Sequence, residues 1–516
     1  MSSSIFVAAG ILASRVIGLV RQRVFAHYFG LESDAADAWS AGFRIPNFLQ
    51  NMFGEGAMSA SFIPVYAALL ARGENEEADR VAGAVGTLLA LIVSALVLVG
   101  MVATPVFIGA IAPGFHGEKR ELTIQVVRIL FPGIGLLVMS AWCLGVLNSH
   151  RRFLLSYSAP VLSSAAIIVT LLVFGPGTEL PRLVVILSVG SVVGSALQFA
   201  VQLPAVAHVA PRLKFGLAPG NVHVRTVLAN FFPVLISRGV VQVSTYVDTL
   251  IATLLPTGAP TALFNATTLY TLPVGLFGMS VSAAELPAMA GAAAASVSHE
   301  PLRARLDNGL RQIAFFVVPS AVAFLALGDV VAAAALQTGR FRAEDSVRVW
   351  AILAGSAVGL LAQTLGRLYS SAYFALRDTR TPLRYAIVRV AVTTVLGYLF
   401  AIPLPKALGI DPFWGTAGLT ASAGIAGWIE MLMLRSSLNA RIGSTGLPLA
   451  YVVKLYTAAL SGAAIGWAIK LAIPPSHPVV TGVVVLVPYG LVFFAIAAAL
   501  RVPEAFTTFA RFTRSR

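Results

Sequence analysis

The chain has 516 residues, 57% of them hydrophobic and only 11% charged, with a mean hydropathy of +0.84. So little charge cannot cover the surface of a soluble protein of this length, which excludes a soluble globular enzyme. The net charge of +14 arises from basic residues dispersed between apolar runs; that pattern argues against a nucleic-acid face and suits the loops of a membrane protein.

Apolar runs recur at about 20 residues, the length that crosses a hydrocarbon core roughly 30 Å thick. Read in chain order, the expected spans are 4–29, 36–70, 80–112, 121–148, 153–175, 181–206, 224–255, 259–294, 308–338, 346–375, 382–403, 412–436, 447–472 and 477–501. The fold class is therefore an all-α membrane protein with about fourteen transmembrane helices, because irregular backbone facing lipid leaves polar groups unpaired. The first run carries Arg15, Arg21 and Arg23 and leads to no cleavage-site pattern, so it is expected to remain as a helix. The second is interrupted at Ile45-Pro46-Asn47 and Gly54-Glu55-Gly56, as in a helix opened where it lines a cavity. Glu74-Asn75-Glu76-Glu77 is expected to be a solvated loop. The single cysteine, Cys143, lies within an apolar run and excludes a disulfide framework.

Alternate loops are rich in arginine and lysine: Arg72 and Arg80, Arg151 and Arg152, Arg212 and Lys214, Arg303 and Arg305, Arg377 and Arg380, Arg435 and Arg441. The opposite loops are poorer, with Lys119–Arg120 and Arg340–Arg342 as exceptions. This bias predicts both termini in the cytoplasm.

An internal repeat is also legible. Phe53-Gly54 with Pro64 recurs as Phe277-Gly278 with Pro287, and Gly135-Leu136-Leu137 recurs as Gly359-Leu360-Leu361; 277 − 53 and 359 − 135 both equal 224. Six spans per half give parallel, pseudo-symmetric lobes, an architecture of secondary transporters. The expected domains are an N-lobe at 1–206, a cytoplasmic linker at 207–223 and a C-lobe at 224–436. Two extra helices at 447–501 and a basic cytoplasmic tail at 502–516 complete the chain.

Charges within spans are costly, at least about 2.5 kcal/mol for arginine at the bilayer centre. Arg15, Glu55 and Arg238 fall mid-span and are expected to be buried along a polar cavity. Asp37 and Arg44 flank the start of span 2, Asp248 lies in span 7, Glu285 in span 8 and Arg367 in span 10. Near span ends, as at Arg23 and Asp37, snorkelling to the interface is the expectation. A cavity lined by guanidinium groups calls for an anion, and phosphate or diphosphate suits its bidentate geometry.

At these residues the sequence resembles the MurJ/MviN lipid II flippase family of the multidrug/oligosaccharidyl-lipid/polysaccharide exporter superfamily. The resemblance rests on Ser14-Arg15-Val16-Ile17-Gly18-Leu19-Val20-Arg21, Phe43-Arg44-Ile45-Pro46-Asn47, Phe53-Gly54-Glu55-Gly56-Ala57 and Phe62-Ile63-Pro64-Val65. Leu272-Pro273-Val274-Gly275-Leu276-Phe277-Gly278 and Asp378-Thr379-Arg380-Thr381-Pro382 extend it across almost the whole chain. It implies alternating access that moves lipid II, or a related polyprenyl-diphosphate saccharide, across the bacterial inner membrane. The tail would stay among membrane lipids along spans 13 and 14. Arg15 and Arg21 match functional arginines of the family, and Asp37 and Glu55 match its acidic positions. Two positions depart from the pattern: Gln50 and Thr268 stand where the family has arginine. The expected substrate-binding set is thus Arg15, Arg21, Asp37, Arg44, Gln50, Glu55, Arg238 and Thr268, with Arg238 in place of the missing span 8 arginine. Asp248 is the candidate for coupling to Na+ or H+.

Other readings are export of another polyprenyl-linked glycan or of organic cations, and a non-transporting scaffold. Mid-span charges that lean basic weigh against cations. No zinc-ligand spacing, phosphate-binding glycine–lysine loop or nucleophilic triad is present, so no enzyme, cofactor, metal or nucleic-acid partner is expected.

Overall fold

The computed structural model describes residues 3–45, 52–53, 58, 60–295, 299–474 and 476–506; side chains at 3–12, 232, 234, 236–245 and 294–295 lie outside that description. Helices follow one another along the chain: α1 (Ser3–Phe29), α2 (Asp34–Gly42), α3 (Ile63–Ala71), α4 (Asn75–Ile111), α5 (Gly117–Ser149), α6 (Phe153–Phe174), α7 (Leu180–Ala200), α8 (Leu203–Val209) and α9 (Val222–Thr253). Next come α10 (Ala259–Pro273), a π-helical turn at Val274–Met279, α11 (Ser280–Ala295), α12 (Glu300–Ala326), α13 (Gly328–Leu336) and α14 (Ala343–Ala375). The chain ends with α15 (Arg380–Ala401), α16 (Pro403–Leu408), α17 (Gly415–Ile442), α18 (Leu449–Ala472) and α19 (Pro478–Ala499).

Among the described residues, 11 helical spans are long and apolar enough to cross a membrane. With α1 at 27 residues and α9 at 32, and the second expected span carrying α2 and α3, the plan agrees with about fourteen crossings. The interruptions expected in span 2, at Ile45-Pro46-Asn47 and Gly54-Glu55-Gly56, fall on residues that, Ile45 apart, lie outside the description.

Two units are described, residues 1–261 with 338–340 and residues 262–337 with 341–516. Residues 207–223, expected as a linker between lobes, run inside the first. They are strapped to the start of α4: Arg212 pairs with Glu76 at 2.7 Å, the Arg212 N–H donates to Asp79 at 3.0 Å, and Asn221 donates to Glu77. The acidic stretch at 74–77 is therefore not a free loop. It opens α4, where carboxylates favour the helix dipole, and its side chains hold the following segment.

In the second unit α14 and α17 pack through small residues. A Cβ on Gly359 would overlap the Cα of Gly424, and one on Gly355 would overlap the Ala417 carbonyl. Close backbone approach of this kind is how helices associate in lipid, where hydrophobic exclusion supplies no drive. The terminal helices attach by aromatic donors reaching helix carbonyls. Tyr451 donates to Arg311 O at 3.0 Å and Trp467 to Ala326 O at 2.7 Å, while Lys470 pairs with Asp329.

The Asp378 motif closes the loop from α14 to α15. Its carboxylate accepts the Arg380 and Thr381 N–H groups at 3.0 Å each, the Thr381 hydroxyl at 2.7 Å and the Arg441 guanidinium at 2.7 Å. Thr381 and Arg441 together hold this carboxyl well below the ordinary carboxylate range.

Two outcomes follow from these contacts. Gly359→Ala should lower the unfolding temperature through a cost of about 1–3 kcal/mol, whereas Gly109→Ala, where a Cβ meets open space, should not. Because the Asp378 pKa is depressed on folding, its contribution is complete above the unfolded carboxylate value near ~4 and is lost as pH falls toward the folded value. Thermal unfolding should therefore show Asp378→Asn destabilised at pH 7, with the gap to wild type closing below about pH 3.

Candidate substrate site

Asp37 organises the start of span 2. Ser33 caps α2, its hydroxyl accepting the Ala36 N–H at 3.1 Å, and Asp34 and Asp37 occupy the first turn. The Asp37 side chain is completely buried. One oxygen accepts Lys119 Nζ at 2.6 Å and the Gly258 N–H at 2.9 Å; the other accepts the Thr261 N–H at 3.1 Å and its hydroxyl at 2.6 Å. A carboxylate offers about four acceptor sites, and all are taken. Asp37 is thus neither a snorkelling side chain nor available to a passenger, which corrects both expectations for it. Lys119, which broke the loop-charge pattern, is its counter-ion and also pairs with Asp34 at 3.2 Å.

The arginines of α1 part company. The helix runs unbroken through Gly18, so the six-residue step from Arg15 to Arg21 turns about 120° around it. Arg15 is exposed rather than buried mid-span, because that turn takes it off the packed face. Arg21 is half-buried, with its guanidinium 5.8 Å from the Phe43 ring centroid. Phe43 in turn stacks on Trp39 at 4.9 Å. Among the described residues neither arginine is ion-paired with a carboxylate.

Arg44 follows directly and is half-buried. Its Nη2 is buried without a hydrogen-bond acceptor. The Tyr246 hydroxyl donates to the Arg44 carbonyl at 3.3 Å, and Asp248 lies within electrostatic reach of the guanidinium. Beside this group opens an apolar cavity of about 380 Å³ walled by Ile45, Val99, Gly100, Phe131, Tyr246 and Val247. A Cβ on Gly100 would overlap the Phe131 ring, so the glycine is what lets the ring form the wall. The first unit thus places the Arg44 guanidinium next to apolar space, an arrangement suited to an anionic head on a hydrocarbon chain.

The remaining expected positions are dispersed. Gln50 and Glu55 lie outside the described residues, and Arg238 lies in α9 with its side chain outside them. Asp248 is half-buried on the same helix. Thr268 belongs to α10 in the second unit, where its hydroxyl donates to the Phe264 carbonyl at 3.0 Å and offers no charge.

The model of the family described as "Lipid II flippase MurJ" matches residues 25–488. The chain belongs to this family. A relative from Burkholderia cenocepacia, named lipid II flippase MurJ, is 32% identical over 436 residues, covering 83% of this chain and 82% of its own. One from Vibrio cholerae, named probable lipid II flippase MurJ, is 30% identical over 451 residues, covering 85% and 83%. The fold matches a solved lipid II flippase MurJ in an inward closed conformation, with TM-score 0.77 and 24% identity over 96% of this chain and 99% of that one. It also matches an inward-facing multidrug resistance MATE family transporter, with TM-score 0.68 and 15% identity over 85% and 99%. The family is one of transporters, so the chain is a multi-pass membrane transporter and not an enzyme.

One intramembrane arginine escaped the sequence reading. Pro105 interrupts the ladder of α4 and strands the carbonyl four residues earlier, at Met101. Arg128 of α5 donates its Nε to that carbonyl at 3.2 Å, and Arg120 donates to the Pro105 carbonyl at 3.1 Å. The signal was the proline itself, which marks where a donor must arrive. Arg128→Met should destabilise the protein by about 1 kcal/mol in the native background. With Pro105→Ala in place the interaction is no longer needed, and a double-mutant cycle read by thermal unfolding should show that coupling.

Proposed function

We propose that this protein carries lipid II from the cytoplasmic to the periplasmic leaflet of the bacterial inner membrane, with both termini in the cytoplasm. Membership of the lipid II flippase family is the observation that carries this reading. The chemistry of the first unit supports it. Arg44 brings permanent charge beside an apolar cavity, and Arg21 sits by the ring of Phe43, the residue before Arg44; guanidinium grips diphosphate oxygens while hydrocarbon fills apolar space. Arg15, exposed on the same helix as Arg21, is a first contact for the head group. By their chemistry, Arg238 is a further cation for the head group, and Gln50 and Glu55 are hydrogen-bonding groups for the saccharide. The extra helices α18 and α19 guide the polyprenyl tail among the membrane lipids.

The drive follows from sign. A diphosphate moving outward leaves the negative side of the membrane, which favours transport by about 2.3 kcal/mol per charge for each 100 mV. Asp248 beside Arg44 is the group through which Na+ or H+ would bear on the site, by altering how firmly the guanidinium is held.

Expression of the wild type should restore growth to a bacterium depleted of its lipid II flippase. Arg21→Ala and Arg44→Ala should each abolish or severely slow that rescue while the protein still accumulates in the membrane. Full rescue by both variants would overturn the assignment of the site, and failure of the wild type would overturn lipid II as the cargo. Dissipating the membrane potential should slow export in the rescued strain.

A further inference from the structure

The second unit holds a polar cluster at bilayer depth, apart from the site described above. Arg389 of α15 lies 3.1 Å from Glu430 of α17, and the Tyr270 hydroxyl of α10 donates to Gln363 of α14. Arg367, one turn further along α14, is within electrostatic reach of Tyr270, Arg389 and Glu430.

Depth follows from the helices. Arg367 precedes the end of α14 by eight residues, Arg389 follows the start of α15 by nine, and Glu430 precedes the end of α17 by twelve. At about 1.5 Å per residue these are ~12, ~14 and ~18 Å from helix ends. Those ends share one membrane face, because α14 runs into α15 through the Asp378 loop and Arg441 near the end of α17 pairs with Asp378.

Charge does not balance there. Glu430 neutralises one guanidinium and leaves the second. Among the described residues no carboxylate is ion-paired with Arg367, whose side chain is exposed rather than packed away. The Arg389 Nε, though close to Glu430, has no aligned hydrogen-bond acceptor. An excess guanidinium in hydrocarbon is kept only where an anion or water reaches it. Tyr270 stands three residues before Pro273 and the π-helical turn at Val274–Met279, and such a turn often accompanies a ligand site.

We propose that Arg367 and Arg389, with Gln363 and Tyr270, form a second diphosphate-binding site in the 262–337 and 341–516 unit, its cations supplied by α14 and α15. The ligand is the diphosphate of a polyprenyl-linked saccharide, so the proposal rests on the cargo reading above. Glu430 competes for Arg389 and keeps it oriented when no anion is bound.

The test is binding to the full-length protein in detergent, with farnesyl diphosphate, farnesyl phosphate and inorganic pyrophosphate as probes. Arg367→Gln should weaken farnesyl diphosphate binding about tenfold or more, as expected for one charge-assisted contact. Glu430→Gln should tighten it, and the monophosphate should bind more weakly than the diphosphate throughout. Pyrophosphate binding that depends equally on Arg367 supports the site and assigns its source to the free anion. Binding by Arg367→Gln within about twofold of wild type overturns the proposal. Should that variant fail to fold, Glu430→Gln decides: tighter binding supports the site, unchanged or weaker binding overturns it. Arg367-dependent binding in a protein that cannot rescue flippase-depleted cells would leave the site standing and remove lipid II as the cargo. Rescue with no effect of Arg367→Gln on binding would remove the site alone.

Discussion

Hydrocarbon supplies no hydrogen-bond partners, so each polar group set at bilayer depth must be met by another part of the chain. That constraint shapes the molecule more than any preference for particular side-chain contacts. It places Lys119 against Asp37, Arg128 against the carbonyl freed by Pro105, and the Trp467 indole on the carbonyl of Ala326. It also separates two kinds of intramembrane charge. Asp37 and Arg128 are spent on structure, whereas Arg21 and Arg44 keep donors that the described protein does not consume.

This separation bears on how charged positions in such families are interpreted. Asp37 and Arg21 both match family positions, and both are expensive to keep in a membrane. One is a hub whose acceptors are filled by three residues from two distant stretches of the chain. The other sits by an aromatic ring and is ion-paired with no carboxylate among the described residues. A loss of transport on changing either would have different origins, one through folding and one through the passenger.

Much of the architecture was legible because the bilayer sets span length and forbids strands with open edges. The family was visible in the motif from Ser14 to Val65. Partners across the fold were not legible. Nothing local to Asp37 announces Gly258 and Thr261, more than 200 residues away. A six-residue step turns Arg21 about 120° from Arg15 around α1, but burial depends on which face a neighbour covers. Likewise Glu76 is exposed acid, as expected, but the pairing of Glu76 and Glu77 with Arg212 and Asn221 appears only when the fold brings those residues back to them. The cluster around Arg367 was half visible, as one costly arginine whose companions on α15 and α17 only the fold assembles.

The Asp37 hub has a consequence for biogenesis. Of its four hydrogen bonds, three come from Gly258 and Thr261 and only one from Lys119. While the ribosome is still making the earlier spans, this carboxylate has a single partner and must stay near water. Its burial therefore waits for the chain to pass residue 261, and the nascent first six spans reach their final packing only after a seventh has been threaded and turned back.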